Sequence, residues 1–230
     1  QYWSLTARAQ NYQILQDPAA ATDPSLTVIR PYDRLPQINF HAGRYDVGGF
    51  DWALDAELVR FSHPDLLTGN RAVAIPQISY PLIRPGYFVT PKLMVHSSKY
   101  EIDTVGGSAR NLTRTLPTFS VDSGLIYERE SSLLGRGVTQ TLEPRLFYVY
   151  TPYKDQSMFP LFDTAEAGFN FAQIFSENRF IGADRVADAN QVTAAVTSRF
   201  IEENGAERLR LAIGQRFYFR DQRVLLDPSQ

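Results

Sequence analysis

Hydrophobic and polar residues alternate along most of this chain, and a period of two marks strands that are buried or apolar on one side only. The clearest run is 50–59. Phe50, Trp52, Leu54, Ala56 and Leu58 fall on one face, while Asp51, Ala53, Asp55 and Glu57 fall on the other. The opening segment sets Trp3, Leu5, Ala7 and Ala9 against Ser4, Thr6, Arg8 and Gln10. Further on, Phe119, Val121, Leu125 and Tyr127 oppose Thr118, Ser120, Asp122 and Glu128. The same criterion gives about nine strands, at 2–16, 35–46, 50–61, 71–80, 87–102, 116–130, 138–151, 190–201 and 206–219. Several reach twelve residues or more, well beyond the roughly 5–6 usual in globular sheets.

The connections alternate in length. Those at 47–49, 81–86, 131–135 and 202–205 are tight and turn-like, whereas 17–34, 62–70, 103–115 and 152–189 are long. Tight turns on one edge and loops on the other are the asymmetry of a transmembrane β-barrel, and a sandwich gives no such regularity. The stretch 183–203 also admits a helix capped by Gly205, but its β-branched Val192, Thr193, Val196 and Thr197 favour a strand. A short helix is expected near 172–177.

Composition adjusts this picture. The 230 residues carry 23 Lys and Arg against 25 Asp and Glu, a net charge of −2, so there is no basic footprint for nucleic acid. No apolar run approaches the roughly 20 residues of a spanning helix. A mean hydropathy of −0.26 does not exclude spanning strands, because alternation averages out. Cysteine is absent, which removes disulfides, thiolate metal sites and thiol nucleophiles; 13% of the residues are aromatic, which favours strands.

Catalytic chemistry finds little to work with. His41, His63 and His96 lie far apart, with no partner at metal-ligand spacing. Gly106-Gly107 lacks the Lys and helix of a phosphate loop, and Asp184, Asp188 and Asn190 lack the Gly and terminal Glu of a calcium loop. No metal or cofactor is expected, and the reading is of a protein that is not an enzyme. On the strand 138–151, Thr139, Thr141, Glu143 and Arg145 share one face, and Val138, Leu142, Leu146 and Tyr148 share the other. In a barrel the first set lines the lumen and the second meets lipid. Aromatics near strand ends, at Phe147, Tyr148, Tyr150 and Tyr153 and at Phe217, Tyr218 and Phe219, are expected to form an interfacial girdle.

Several longer motifs carry a resemblance. They include Gln140-Thr141-Leu142-Glu143-Pro144-Arg145-Leu146-Phe147-Tyr148-Val149-Tyr150, Phe162-Asp163-Thr164, and Asn178-Arg179-Phe180-Ile181-Gly182-Ala183-Asp184-Arg185 followed by Asp188-Ala189-Asn190-Gln191. Pro31-Tyr32-Asp33-Arg34-Leu35-Pro36, Gly86-Tyr87-Phe88-Val89-Thr90-Pro91-Lys92, Asp122-Ser123-Gly124-Leu125 and Gly214-Gln215-Arg216-Phe217-Tyr218-Phe219 extend them over nearly the whole chain. In this order they resemble the barrel of the lipopolysaccharide-assembly (LptD) family of the Gram-negative outer membrane.

The resemblance implies a large antiparallel barrel with a periplasmic jelly-roll domain. It also implies a lipoprotein plug of the LptE type, delivery of lipopolysaccharide by a periplasmic bridge, and its release through a lateral gate into the outer leaflet. Nine strands are too few for such a barrel, so residues 1–230 are expected to be an internal piece of its wall, with 152–189 as a long extracellular loop. The jelly roll, signal peptide, disulfide cysteines and gate strands would lie outside it. Lys92, Asp122, Glu143, Arg145, Arg208 and Arg210 are the candidate lumen-facing residues, for which pairing among wall charges is favoured over contact with lipid phosphates. Asp163, Asp184, Arg185 and Asp188 are a candidate loop network. The alternatives are a porin or receptor barrel with passive solute passage, and a soluble β-rich domain whose apolar faces pack on a second sheet.

Overall fold

A computed structural model of the protein describes residues 2–103 and 109–226. Its strands are β1 (Trp3–Gln10), β2 (Asp33–Val47), β3 (Phe50–Ser62), β4 (Gly69–Ser79), β5 (Leu82–Arg84), β6 (Tyr87–Asp103) and β7 (Ala109–Leu125). They continue with β8 (Tyr127–Leu133), β9 (Arg136–Thr151), β10 (Ala165–Glu166), β11 (Phe180–Ile181), β12 (Ala189–Ile201) and β13 (Glu207–Tyr218). One antiparallel sheet runs in the order β1-β2-β3-β4-β6-β7-β9-β12-β13. The short β5 and β8 extend β4 and β7 along their neighbours β6 and β9, and β10 and β11 form a separate two-stranded ribbon. Nine strands in sequential order therefore match the alternation in number, but β1 stops at Gln10, short of the expected 16, and the expected strand 116–130 is divided between β7 and β8 at Ile126. No ladder joins β1 to β13 among the described residues, so the sheet is an open arc, a partial barrel.

Local chemistry sets the joints. Gly48 and Gly49, with φ of +64° and +87°, form the tight β2–β3 turn, and a side chain at Gly49 would collide with the Tyr80 ring. Pro76 has no N–H to donate, and the β4–β6 ladder steps from Ala74–Ser97 directly to Gln77–Met94. The expected turns at 81–86 and 131–135 shrink, because β5 and β8 keep pairing to within two residues of the reversal. The expected loop 103–115 shrinks as well: β6 and β7 pair out to Asp103–Ala109, and its centre, Gly106-Gly107 included, lies outside the described residues. The ambiguous stretch 183–203 is strand from Ala189 onward, while the expected helix near 172–177 is a single 3-10 turn, Gln173–Phe175.

The sheet has two unlike faces. On one, Trp52, Leu58, Ile78, Leu93, Phe119, Leu142, Leu146, Leu211 and Ile213 stand exposed, and nothing packs over them. The other is covered by residues 152–188, which leave β9 and return to β12. Among the described residues, each apolar cluster includes residues of this cover or packs against it. Val59, Phe61, Tyr100 and Ile102 meet Phe159 and Phe162; Phe147 and Val149 meet Phe175; Phe180 and Ala187 meet Val224. The core is thus built by the segment against the sheet and against the stretch after β13, not between two sheets, and the soluble-sandwich alternative fails on that arrangement. Among the described residues no helix is long and apolar enough to cross a membrane.

Candidate functional site: the covered polar wall

Strand alternation puts the polar residues of adjacent strands side by side on the covered face. The register aligns Glu57 with Val73, Val73 with Ser98, and Ser98 with Arg114. Arg71, one pleat away, is 2% exposed and is the hub. Its Nη1 donates to Asp163 Oδ1 at 2.6 Å and to Asp184 Oδ1 at 2.7 Å; its Nη2 donates to Glu57 Oε2 at 2.5 Å and to Asp163 Oδ2 at 2.8 Å. Pairing of both terminal nitrogens with three carboxylates is what makes the buried guanidinium tolerable, although its Nε has no hydrogen-bond partner. Gln37 extends the cluster by donating to Glu57.

Arg114, 1% exposed, holds the main chain of the segment instead of a carboxylate. It donates to the carbonyls of Asp184 and Ala183 at 2.7 and 2.8 Å and to Gln156 Oε1. Gln156 also bonds both backbone groups of Val186, so the two ends of the segment are fastened to each other at the same point. Tyr100 donates its hydroxyl to Asp184 Oδ1 at 2.9 Å. The second oxygen, Asp184 Oδ2, accepts from the backbone N–H groups of Phe162 and Asp163. Burial works against ionisation of Asp184, but Arg71 and these two N–H groups outweigh it and hold the carboxyl below the usual carboxylate range.

Beyond this hub, the segment crosses β6, β7, β9, β12 and β13 on weaker contacts. Lys92 pairs with Glu177 at 3.0 Å, and Ser120 donates to the same carboxylate. The Arg145 guanidinium lies 4.0 Å over the Phe175 ring. Thr193 and Arg216 donate to the carbonyls of Ile174 and Gln173.

The candidates read from the sequence separate into groups. Lys92, Asp122, Glu143 and Arg145 all stand on the covered face: Asp122 binds Arg145 through two bonds of 2.8 and 2.6 Å, and Glu143 binds Arg199 at 2.6 Å. Arg208 and Arg210 are exposed on β13; Arg208 pairs with Glu202 at 2.7 Å, and Arg210 lies opposite Arg199. The candidate loop network is not one network. Asp163 and Asp184 converge on Arg71, and Arg185, itself buried, donates to the carbonyls of Pro160 and Asp184. Asp188 is separate and accepts from the backbone N–H groups of Arg223 and Val224.

The girdle expectation needs correction at Phe147, which faces the segment against Phe175, and at Tyr153, which lies under the Arg223 guanidinium. Aromatics absent from that expectation, Tyr45, Phe50, Trp52, Tyr80, Tyr87 and Tyr127, gather instead toward the tight-turn edge. Arg71, Arg114, Tyr100 and Gln156 were not singled out either. A signal existed: Arg71 shares its strand face with Val73 and Ile75, and Arg114 with Leu116, and a lone guanidinium among apolar residues of one face announces a buried partner. His41 meets Asp55 at 2.6 Å, His63 caps the Asp65 and Leu66 N–H groups, and His96 is buried apart from both. Among the described residues no three His, Asp or Glu side chains are placed to hold a metal ion.

The family model described as "LptD: LPS transport system D" matches residues 1–230. The chain belongs to the LptD family. It is 49% identical to the LPS-assembly protein LptD of Ralstonia nicotianae, over 99% of this chain and 28% of that protein. The proteins of the same name in Burkholderia cenocepacia and Azoarcus sp. are 47% and 48% identical, over 99% and 97% of this chain and 29% and 28% of their own lengths. The chain therefore spans less than a third of these LptD relatives, in keeping with an arc of wall and not a closed barrel.

Proposed function

We propose that this chain is a section of an outer-membrane barrel wall through which lipopolysaccharide is assembled into the outer leaflet. The observation that carries the reading is the two-faced sheet of a chain in the LptD family: one face is apolar and uncovered, and the other is polar, ion-paired and covered by 152–188. An amphiphile needs both environments. The polar face lines a hydrated lumen that accommodates sugars and phosphates, while the acyl chains stay in apolar surroundings and leave sideways. No covalent bond is made or broken. The paired charges at Asp122–Arg145, Glu143–Arg199 and Lys92–Glu177 knit the wall and leave the lumen close to neutral, and residues 152–188 form an extracellular loop folded back into it. A lipoprotein plug and a periplasmic bridge complete the machine through parts of the protein beyond this arc.

The test is a depletion of the full-length protein followed by a chase of labelled lipopolysaccharide. Newly made lipopolysaccharide is expected to stop reaching the cell surface, and restoring the protein should return it. Unchanged lipopolysaccharide delivery with reduced uptake of small solutes would favour a porin, a reading to which the relatives' names lend no support.

A further inference from the structure

The uncovered face is not uniformly convex. Two contiguous concavities of about 590 and 390 Å³ share Ile38, Leu58, Ala72 and Lys99 and form one trough over β2, β3, β4 and β6. The register explains the dent. In one row across the sheet Phe40, Ala56, Ala74 and Ser97 are neighbours; in the next, Ile38, Leu58, Ala72 and Lys99; in the third, Arg60, Asn70 and Glu101. Ala56, Ala72, Ala74 and Ser97 are small, while Phe40 and Leu58 rise beside them. Three rows two residues apart span about 13 Å along the strands, close to half of the roughly 25 Å apolar band of a barrel, which is the depth of one leaflet.

Polarity changes along the trough. Its first row is apolar apart from Ser97, whose hydroxyl lies 3.3 Å from that of Thr115. The second ends in Lys99, and the third is wholly polar. There the charges are already engaged: Arg60 binds Asp103 at 2.7 Å, and Asn70 bridges Arg60 and Glu101. Lys99 is exposed and forms no ion pair among the described residues. A trough whose apolar first two rows give way to polar residues, with an uncommitted ammonium where the change occurs, is complementary to a single amphiphile with an anionic head.

We infer that this trough docks one acyl chain of a phosphate-bearing anionic lipid, with the phosphate at the Lys99 ammonium. The inference rests on the reading of the uncovered face as lipid-facing. Ala56, Ala72 and Ala74 make room for the chain, and Lys99 selects the head. A bound lipid there would be retained longer than its neighbours in the surrounding layer.

The test uses the full-length protein in nanodiscs of equal parts phosphatidylglycerol and phosphatidylcholine, with lipids retained after release counted by native mass spectrometry. Preferential retention of phosphatidylglycerol is expected. Lys99→Gln should lower that preference about fivefold, the equivalent of roughly 1 kcal/mol for one basic residue near an anionic surface. Ala74→Leu, which fills the trough, should reduce retention of both lipids. Retention without preference, or the same in both variants as in the parent, means an ordinary lipid layer and overturns the site. Lys99 is exposed and unpaired, so its variant folds even where Ala74→Leu does not. A nitroxide at Ile213→Cys, on the same face but away from the trough, checks the premise. Contact with water there overturns the lipid-facing reading itself, whereas contact with lipid combined with silent variants overturns the trough alone.

Discussion

At Asp184 a single carboxylate accepts from Arg71, Tyr100 and two backbone N–H groups, and it ties the segment to the wall. Replacing it by Asn removes one of three carboxylates on Arg71, which keeps Asp163 and Glu57, and weakening a buried charged hydrogen bond costs about 1–3 kcal/mol. Denaturant unfolding of Asp184→Asn should show a loss in that range. The pH dependence follows from the lowered folded-state value. The stabilisation is complete above the unfolded carboxyl value near 4, and it is lost as pH falls through the still lower folded value, because the unfolded chain binds the proton first. Unfolding midpoints measured from pH 7 down to 3 should therefore decline in the parent and be flatter over the acid end in Asp184→Asn. Gly182 makes the approach possible: its φ is +81°, and a Cβ would stand 2.6 Å from the Asp163 carbonyl oxygen. Gly182→Ala should cost about 1–3 kcal/mol, read by the same unfolding measurement, with the sheet intact.

Each strand, taken singly, states its two faces in its own sequence, and this is why nine strands were legible from alternation, while the barrel came from the connections and the resemblance. β13 shows it well: Leu209, Leu211 and Ile213 stand outward, while Arg216 reaches the segment and a side chain at Gly214 would meet Ile174. Ile213, 76% exposed on the apolar face, should tolerate any apolar residue but not charge. Ile213→Arg is expected to cost about 2–4 kcal/mol in a bilayer, measured as a shift in folding into vesicles, and far less in detergent with loose headgroups. The segment was harder to read. Its Asp and Arg residues were visible, but Asp184 and Asp188 serve different partners, and which aspartate meets which arginine depends on contacts from Glu57 to Asp184 that no local pattern encodes. Strand ends were missed for a related reason: Gly and Pro in 81–86 and 131–135 mark turns, yet neighbouring strands kept the flanking residues paired.

For the molecule as a whole, the open edges of β1 and β13 set the terms. Unpaired edge groups cannot be left in hydrocarbon, so the proposed barrel-wall reading requires each edge to meet a further strand in the full-length protein. Hydrogen exchange on the full-length protein in detergent should find the amides of Trp3–Gln10 and Glu207–Tyr218 protected as strongly as those of the central Tyr87–Asp103. Exchange as fast as in solvent-exposed turns would contradict a continuous wall. One other feature bears on how such a wall changes over time. Thr151 and Ala189, the last residue before the cover and the first after it, are directly opposed partners in the β9–β12 ladder. Everything between them is an excursion from a single hairpin rung, so it can lengthen, shorten or be exchanged without shifting any strand. The strand scaffold and the segment that covers it are thereby free to diversify independently, like a frame and an interchangeable insert.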